Sequence, residues 1–137
     1  MKPKVVVDTN IVVAGLMTSE SASPVARTLD GMLSAAFVFA VSQALLTEYR
    51  EVLVRPSLRR RHGLSVAEVE SLLAEIALHA IVLQPEPGPR APDPGDQLLW
   101  DLLGSRGDLV LVTGDQALLD DAGMRGRVIL PRDFIDR

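Results

Sequence analysis

The chain has 137 residues, enough for one domain with a sizeable core, and its 47% hydrophobic but only 4% aromatic content predicts a mainly aliphatic interior. It contains no cysteine, which excludes disulfide bonds, thiolate metal sites and cysteine nucleophiles. Its net charge of −4 argues against coating of nucleic acid through bulk positive charge, but it allows a nuclease that has a local basic patch.

The first half of the chain alternates apolar runs with segments of helical periodicity. Residues 5–7 form a continuous valine run, which is typical of a strand buried on both faces of a parallel sheet. Ser23, Ser42 and Ser65 each precede a helical pattern and are predicted to cap it. The predicted elements are a strand over 5–7, helices over 10–16 and from 24 to about 33, a strand over 37–41, a helix from 43 to about 54, a short helix from 56 and a helix from 66 to about 79.

The second half begins with a segment that cannot be regular structure, because residues 84–95 contain five prolines. We expect a loop there and not an interdomain linker, since only about 42 residues follow. Strands that alternate with helices predict an α/β fold with a single parallel sheet. The predicted elements are strands over 80–83, 109–112 and 127–130, a helix from 93–94 to about 105 and a short helix over 116–121.

Four acidic residues stand just after an apolar run or on the helix that follows one. They are Asp8, Glu48, Asp96 and Asp115. Because the carboxyl ends of parallel strands meet at one edge of a sheet, the four carboxylates can converge there. Carboxylates crowded in one cleft repel each other unless a cation compensates, and hard divalent cations prefer such oxygen ligands. The pattern therefore predicts a metal-dependent enzyme.

Each acid also has a purely structural interpretation. Asp8 and Asp115 could cap the helices that follow their strands, and Asp96 lies near a helix N-terminus, where negative charge is favourable. Glu48 is harder to explain in this way, because it flanks the apolar stripe of its predicted helix. A carboxylate at the border of a core needs a partner, and both lysines lie before residue 5. A metal shared with Asp8 is the partner that we expect.

Other polar residues accompany the acids. Asn10 and Thr113 place neutral oxygens near the same edge, where a helix start and a strand-end hydrogen bond explain them equally well. A dense basic cluster follows the helix that carries Glu48, and three interpretations remain open: a track for RNA phosphates, a docking surface for an acidic segment of a partner, or a solvated helix end. The arginines of this cluster are Arg55, Arg59, Arg60 and Arg61.

Five segments stand in a characteristic order along the chain. They are residues 5–10, 42–56, 93–96, 112–115 and 130–135. In this order they resemble the PIN-domain nucleases, in particular the VapC-like branch that comprises the toxin components of bacterial toxin–antitoxin pairs. The resemblance extends over essentially the whole chain.

The resemblance implies a single PIN-like domain over residues 1–137, folded as a three-layer α/β/α sandwich with a central parallel five-stranded sheet. It implies an endoribonuclease whose acidic cluster binds Mg²⁺ or Mn²⁺, with RNA as substrate and with an antitoxin protein and a second copy of the chain as candidate partners. The positions that match the family's acidic triad are Asp8, Glu48 and Asp96; Asp115 matches the fourth acid, and Asn10 and Thr113 match supporting polar positions.

Localisation can be predicted from composition. The longest apolar run, residues 35–41, is far shorter than the roughly 20 residues that span a bilayer. The lack of cysteine fits a reducing compartment. We therefore expect a cytoplasmic protein that makes no membrane contact.

Two other enzyme classes fit less well, and one non-enzymatic class stays open. Aspartyl phosphatases need a lysine late in the chain and a second aspartate where Asn10 stands, but no lysine follows Lys4. A P-loop nucleotide binder is excluded because the chain has no Gly-Lys-Ser or Gly-Lys-Thr. The remaining alternative is a non-catalytic PIN-like module that binds nucleic acid or protein.

Overall fold

The structure is a computed structural model that describes residues 2–136, and strands alternate with helices through this part of the chain. The strands are β1 (Lys4–Val7), β2 (Ala40–Ser42), β3 (Ile81–Leu83), β4 (Leu109–Val112) and β5 (Val128–Ile129). The α-helices are α1 (Thr9–Met17), α2 (Pro24–Leu33), α3 (Gln43–Leu53), α4 (Pro56–His62), α5 (Val66–His79), α6 (Gln97–Ser105), α7 (Gln116–Leu119) and α8 (Pro131–Ile135). The predicted α/β class is confirmed.

The predicted single five-stranded sheet needs correction. The strands form two parallel ladders, one of three strands in the order β1-β4-β5 and one of two strands, β2-β3. Among residues 2–136, only an isolated parallel bridge between Val5 and Phe39 joins the ladders, and the Val5 amide donates to the Val38 carbonyl at 3.1 Å. The ladders separate because β2 is short and begins one residue after the bridge.

The strand order places a crevice between β1 and β4. Across both ladders the order is β3-β2-β1-β4-β5, so the chain first moves outward to β3 and then returns to the other side of β1. Parallel α/β sheets bind ligands outside the carboxyl ends of the strands, at the point where the strand order reverses. Because Val7 pairs with Val112, the residues that follow these two valines lie side by side at that point.

The predicted helix caps are confirmed by their hydrogen bonds. The Ser23 and Ser42 hydroxyls accept from main-chain amides in the first turns of α2 and α3, at 3.3 and 3.1 Å. Ser65 and Glu68 form the predicted capping box of α5, with both bonds at 3.1 Å. Asp93 opens a 3-10 turn (Pro94–Asp96) that leads directly into α6.

Strand ends and the chain's last segment differ from the predictions. The strand predicted over 37–41 is displaced to Ala40–Ser42, and those predicted over 80–83 and 127–130 are shortened. The final helix α8 was not predicted; Pro131 begins it, and its Phe134 is fully buried. These short elements depend on packing against distant residues, which periodicity within the segment cannot indicate.

The core lies between the sheet and its helices and is mainly aliphatic, as composition predicts. Trp100 on α6 is one exception, with only 2% of its surface exposed, and α6 packs against β1 and β4. Within residues 2–136, no helix combines the length and the apolar character that crossing a bilayer requires.

Candidate active site

Asp8 is the first residue after β1 and occupies the N-cap position of α1. Its side chain makes no capping hydrogen bond; instead, its main-chain amide donates to the Val112 carbonyl at 3.0 Å. The structural interpretation of this acid as a helix cap is therefore wrong. Asp8 is 7% exposed, and its carboxylate lines a cavity at the crevice between β1 and β4.

Thr113 connects the ends of these two strands through its side chain. Its fully buried hydroxyl donates to Oδ2 of Asp8 at 2.7 Å and accepts from the Asp115 amide at 3.0 Å. Asp115 in turn caps α7, because its Oδ1 accepts from the Ala117 amide at 3.0 Å. Thr113 thus orients one acid directly and fixes the main chain of a second.

Glu48 is held against α1. The hydroxyl of Thr9 donates to its Oε2, so this half-buried carboxylate has a protein partner in addition to the metal that the sequence predicts. The adjacent Tyr49 is fully buried, and its hydroxyl donates to the Val7 carbonyl at the end of β1. Arg50 points away and pairs with Glu70 at 2.6 Å. Helix α3 is therefore attached to the carboxyl end of β1.

Thr9 and Tyr49 support the candidate site, and the sequence analysis did not single them out. Thr9 stands between two candidate residues of the first motif, and Tyr49 is the only tyrosine of the chain and directly follows Glu48. Both positions can be seen in the sequence, but a tyrosine on the apolar stripe of a helix is usually interpreted as a core residue. Only the position of α3 against β1 gives its hydroxyl a role.

Asp96 is the last residue of the 3-10 turn and the N-cap position of α6, where its side chain makes no capping hydrogen bond. It is half-buried. Its pKa is raised by burial and then by the negative charges of Asp115, Asp93 and Glu48. Asp96 is therefore electrostatically part of the same cluster as the other acids.

The four acids line one cavity of about 470 Å³. This size falls within the range of small-ligand pockets. Of the other predicted site residues, Asn10 lines the cavity with an exposed side chain, and Thr113 lies buried beside Asp8. The arginine cluster divides: Arg61 lines the acidic cavity, whereas Arg55, Arg59 and Arg60 do not.

Burial controls the protonation of Asp8. It raises the Asp8 pKa to about 6, the Thr113 hydroxyl and Thr9 amide oppose this rise, and the charges of Asp96 and Glu48 add to it. Burial also raises the pKa of Tyr49 well above its usual range, so the tyrosine remains a neutral donor. Both shifts show that the site disfavours additional negative charge.

The donor set fits a hard divalent cation. All four acids offer carboxylate oxygens, which Mg²⁺ and Mn²⁺ prefer. The salt bridges within residues 2–136 join Lys4 and Arg106 to Asp108 and Arg50 to Glu70, and none involves the four acids. In the same part of the chain, no three acidic or histidine side chains are already gathered around one point. The fit therefore rests on the chemistry and uncompensated charge of the donors.

Removal of the Thr113 hydroxyl should change the titration of Asp8. In Thr113→Val we expect the Asp8 pKa to rise further above about 6, because the hydrogen bond from Thr113 favours the charged carboxylate. A carboxyl-detected NMR titration in the presence of EDTA measures this pKa.

Thr28→Val is the matched control, since Thr28 is also fully buried but donates to the Pro24 carbonyl at 2.7 Å within α2. It should leave the Asp8 pKa unchanged. An Asp8 pKa that is the same in Thr113→Val and wild type would contradict the assigned role of this hydroxyl.

Comparison with known proteins identifies the family. The family model of the PIN domain matches residues 4–117, which is most of the chain and includes all four acids, Thr113 and Arg61. No curated protein sequence matches the chain. PIN domains are generally nucleases, and this supports a nuclease-like role. With its four acids at the reversal point of a parallel sheet and this match, the chain belongs to the PIN domain family.

Proposed function

We propose that the protein is an endoribonuclease that hydrolyses RNA phosphodiester bonds with Mg²⁺ or Mn²⁺, and that it is the VapC-like toxin of a type II toxin–antitoxin pair. One observation carries the catalytic part: four carboxylates from four separate segments line a single cavity at the crevice between β1 and β4, and no salt bridge within residues 2–136 involves any of them.

A phosphodiester is an anion, and this cavity would repel it unless a cation intervened. Asp8, Glu48 and Asp96, with Asp115 beside them, are the residues that would hold Mg²⁺ or Mn²⁺. A divalent ion supplies the positive charge that neutralises phosphate oxygens and activates water for attack. The role does not require a histidine or a lysine, and neither lines the cavity.

The chain's own residues prepare the site. Thr113 and Thr9 hold Asp8 and Glu48 by hydrogen bonds, which reduces the cost of ordering them when the ligands assemble. Asn10 can donate its side-chain amide to a phosphate oxygen without adding charge.

The choice of RNA, the toxin role, the antitoxin partner and a homodimer rest on the sequence resemblance to the VapC-like branch. The segments that carry it include the Asp8 motif and the Thr113–Asp115 motif, both of which lie in the cavity or beside it. We also propose a cytoplasmic location, which rests on composition and not on this resemblance.

The test is cleavage of RNA by the purified protein. We expect single-stranded RNA to be cleaved in the presence of Mn²⁺ or Mg²⁺ and protected when EDTA is added. Because the enzyme could act on one specific RNA, the substrates should include structured and unstructured RNAs and total cellular RNA.

Two outcomes would contradict the proposal in different ways. Full cleavage in EDTA would exclude the metal role of the acids. Binding of RNA without cleavage, at every Mn²⁺ and Mg²⁺ concentration, would favour the non-catalytic binding module instead.

A further inference from the structure

The acidic cavity has a second, apolar part. Asn10, Val13, Ala14 and Met17 all line it, and their spacing of i, i+3, i+4 and i+7 places them on one face of α1. This face extends for roughly 10 Å away from the carboxyl end of the sheet. The three apolar side chains on it are only half-buried, so they present open apolar surface to a ligand.

Helix α3 supplies the opposite wall. Val52 lies four residues after Glu48, on the same face of α3, and also lines the cavity. An acidic residue and an apolar residue are therefore stacked one turn apart on this helix. Both helices show the same change, from polar at the sheet edge to apolar farther along.

Arg61 is the basic side chain that lines this cavity. It lies on α4, which packs against α1 and α3, and it forms no hydrogen bond or salt bridge with any residue from 2 to 136. Its neighbour Arg60 is also exposed but lines a different depression, beside Pro56 and Gly63. Successive helical residues point about 100° apart, so the two arginines serve different surfaces.

We propose that the cavity binds one unpaired nucleotide next to the scissile phosphate. The base lies against the apolar wall of α1 and α3, and Arg61 binds the following phosphate. The inference rests on the proposed function, because it takes the acids as the place of the scissile phosphate. Arg61 is a substrate-positioning residue in this arrangement.

The apolar wall defines which nucleic acids fit. A base in a duplex is stacked and paired, so it cannot lie on a protein wall unless the helix opens. Val13, Ala14, Met17 and Val52 have no side-chain hydrogen-bonding groups that could read a base edge. We therefore infer a requirement for a single strand and only weak choice among bases at this position.

Arg60→Ala and Arg61→Ala form a matched pair for the test, since both remove an exposed arginine from α4. The probe is a fluorescein-labelled single-stranded RNA 12-mer, and its binding is followed by fluorescence anisotropy over a series of salt concentrations, with Ca²⁺ in place of Mn²⁺ so that a cation occupies the acids. Arg61→Ala should weaken binding about tenfold and reduce the slope of log K against log salt by about 0.7, the value for one phosphate contact on a single strand. Arg60→Ala should change neither quantity, and Arg61→Lys should keep the slope.

A second pair of variants tests the wall. Ala14→Leu should fill it and weaken binding of the 12-mer severalfold, without changing the weaker binding of a matched duplex. Met17→Gln, at the end of α1, makes the wall polar without adding charge and serves the same purpose if the first variant fails to fold. Equal affinity of these variants and wild type for the single strand would overturn the placement of the base.

The results separate this inference from the function on which it rests. A wild-type protein that cleaves RNA while Arg61→Ala keeps its affinity and salt slope would overturn the role of Arg61 alone. Equal losses in Arg60→Ala and Arg61→Ala would also overturn it, because they would indicate diffuse charge and not a contact. A wild-type protein that neither binds nor cleaves RNA would overturn both proposals.

Discussion

Asp8→Asn is expected to lose cleavage of single-stranded RNA by about 10²- to 10⁴-fold in the presence of Mn²⁺. The substitution keeps the shape of the side chain and an oxygen that can accept from Thr113, so the fold should persist. It removes one negative charge from the cavity and the most deeply buried carboxylate of the four. Initial rates on a labelled RNA, with circular dichroism to verify folding, measure the loss.

Asp30→Asn provides the control, because Asp30 is an exposed acid on α2 that does not line the cavity. It should cleave at the wild-type rate.

Expression of the wild-type chain in bacteria should slow growth if the toxin role holds, and Asp8→Asn should relieve the arrest. Wild-type cleavage by Asp8→Asn would show that the reaction takes place elsewhere.

The convergence of the acids on one cavity could be predicted from the sequence, because parallel strands bring their ends together whatever their side chains are. Asp8 and Asp115 follow β1 and β4, whose terminal residues Val7 and Val112 are paired. The helix that carries Glu48 has a clear apolar stripe, and that stripe sets which side faces the sheet. Strong local patterns therefore fixed the positions of these acids.

The hydrogen bonds between the acids and their supports could not be predicted in the same way. Thr113 and Asp8 are 105 residues apart, and Tyr49 and Val7 are 42 apart. Such contacts depend on how one helix or strand is rotated and shifted relative to its neighbour, to within about an ångström. Local propensity does not determine this, because many packings bury the same apolar area.

The arginine cluster shows a second limit. Helix α4 has seven residues, and none of them is buried, so no apolar stripe fixes its rotation about its own axis. The sequence therefore could not distinguish Arg60 from Arg61. Contacts of α4 with α1 and α3 decide that Arg61 lines the acidic cavity.

Just before strand β2, aromatic side-chain packing takes the place of the strand pairing that the sequence predicts. The apolar run over 37–41 predicted a strand, but the Phe37 ring packs edge-on against Phe39 and Phe134, with centroids 6.1 and 4.8 Å away. Val38 is 45% exposed. The first part of the run thus packs against the end of the chain, and the strand begins only at Ala40.

Asp8→Asn is also expected to stabilise the metal-free protein at alkaline pH. The Asp8 pKa is about 6 in the folded protein, whereas an aspartate in an unfolded chain has its ordinary pKa of 3.8. Folding therefore favours the neutral carboxyl. This contribution to stability is fully present below pH 3.8 and is lost as the pH rises through about 6. Asparagine is neutral at every pH and avoids the loss. At about 1.4 kcal/mol per pKa unit, the gain at pH 8 should reach at most about 3 kcal/mol.

Chemical denaturation in EDTA at pH 4, 6 and 8 measures this gain. The difference in unfolding free energy between Asp8→Asn and wild type should be near zero at pH 4 and should grow toward pH 8. Asp30→Asn should follow the wild type throughout, since its side chain is exposed. A variant that is less stable than wild type at pH 8 in EDTA would contradict a buried, uncompensated carboxylate.

Addition of Mn²⁺ should reverse the order of stability. A ligand that binds only the folded state stabilises it by mass action, by about 2.7 kcal/mol at a hundred times its Kd. Wild type should gain this stability from Mn²⁺ at pH 8, whereas Asp8→Asn should gain much less because it lacks a carboxylate ligand. An equal gain in both proteins would place the cation away from Asp8. The Asp8 carboxylate explains both results. Its buried negative charge destabilises the folded protein without metal, and the same charge binds the cation when metal is present.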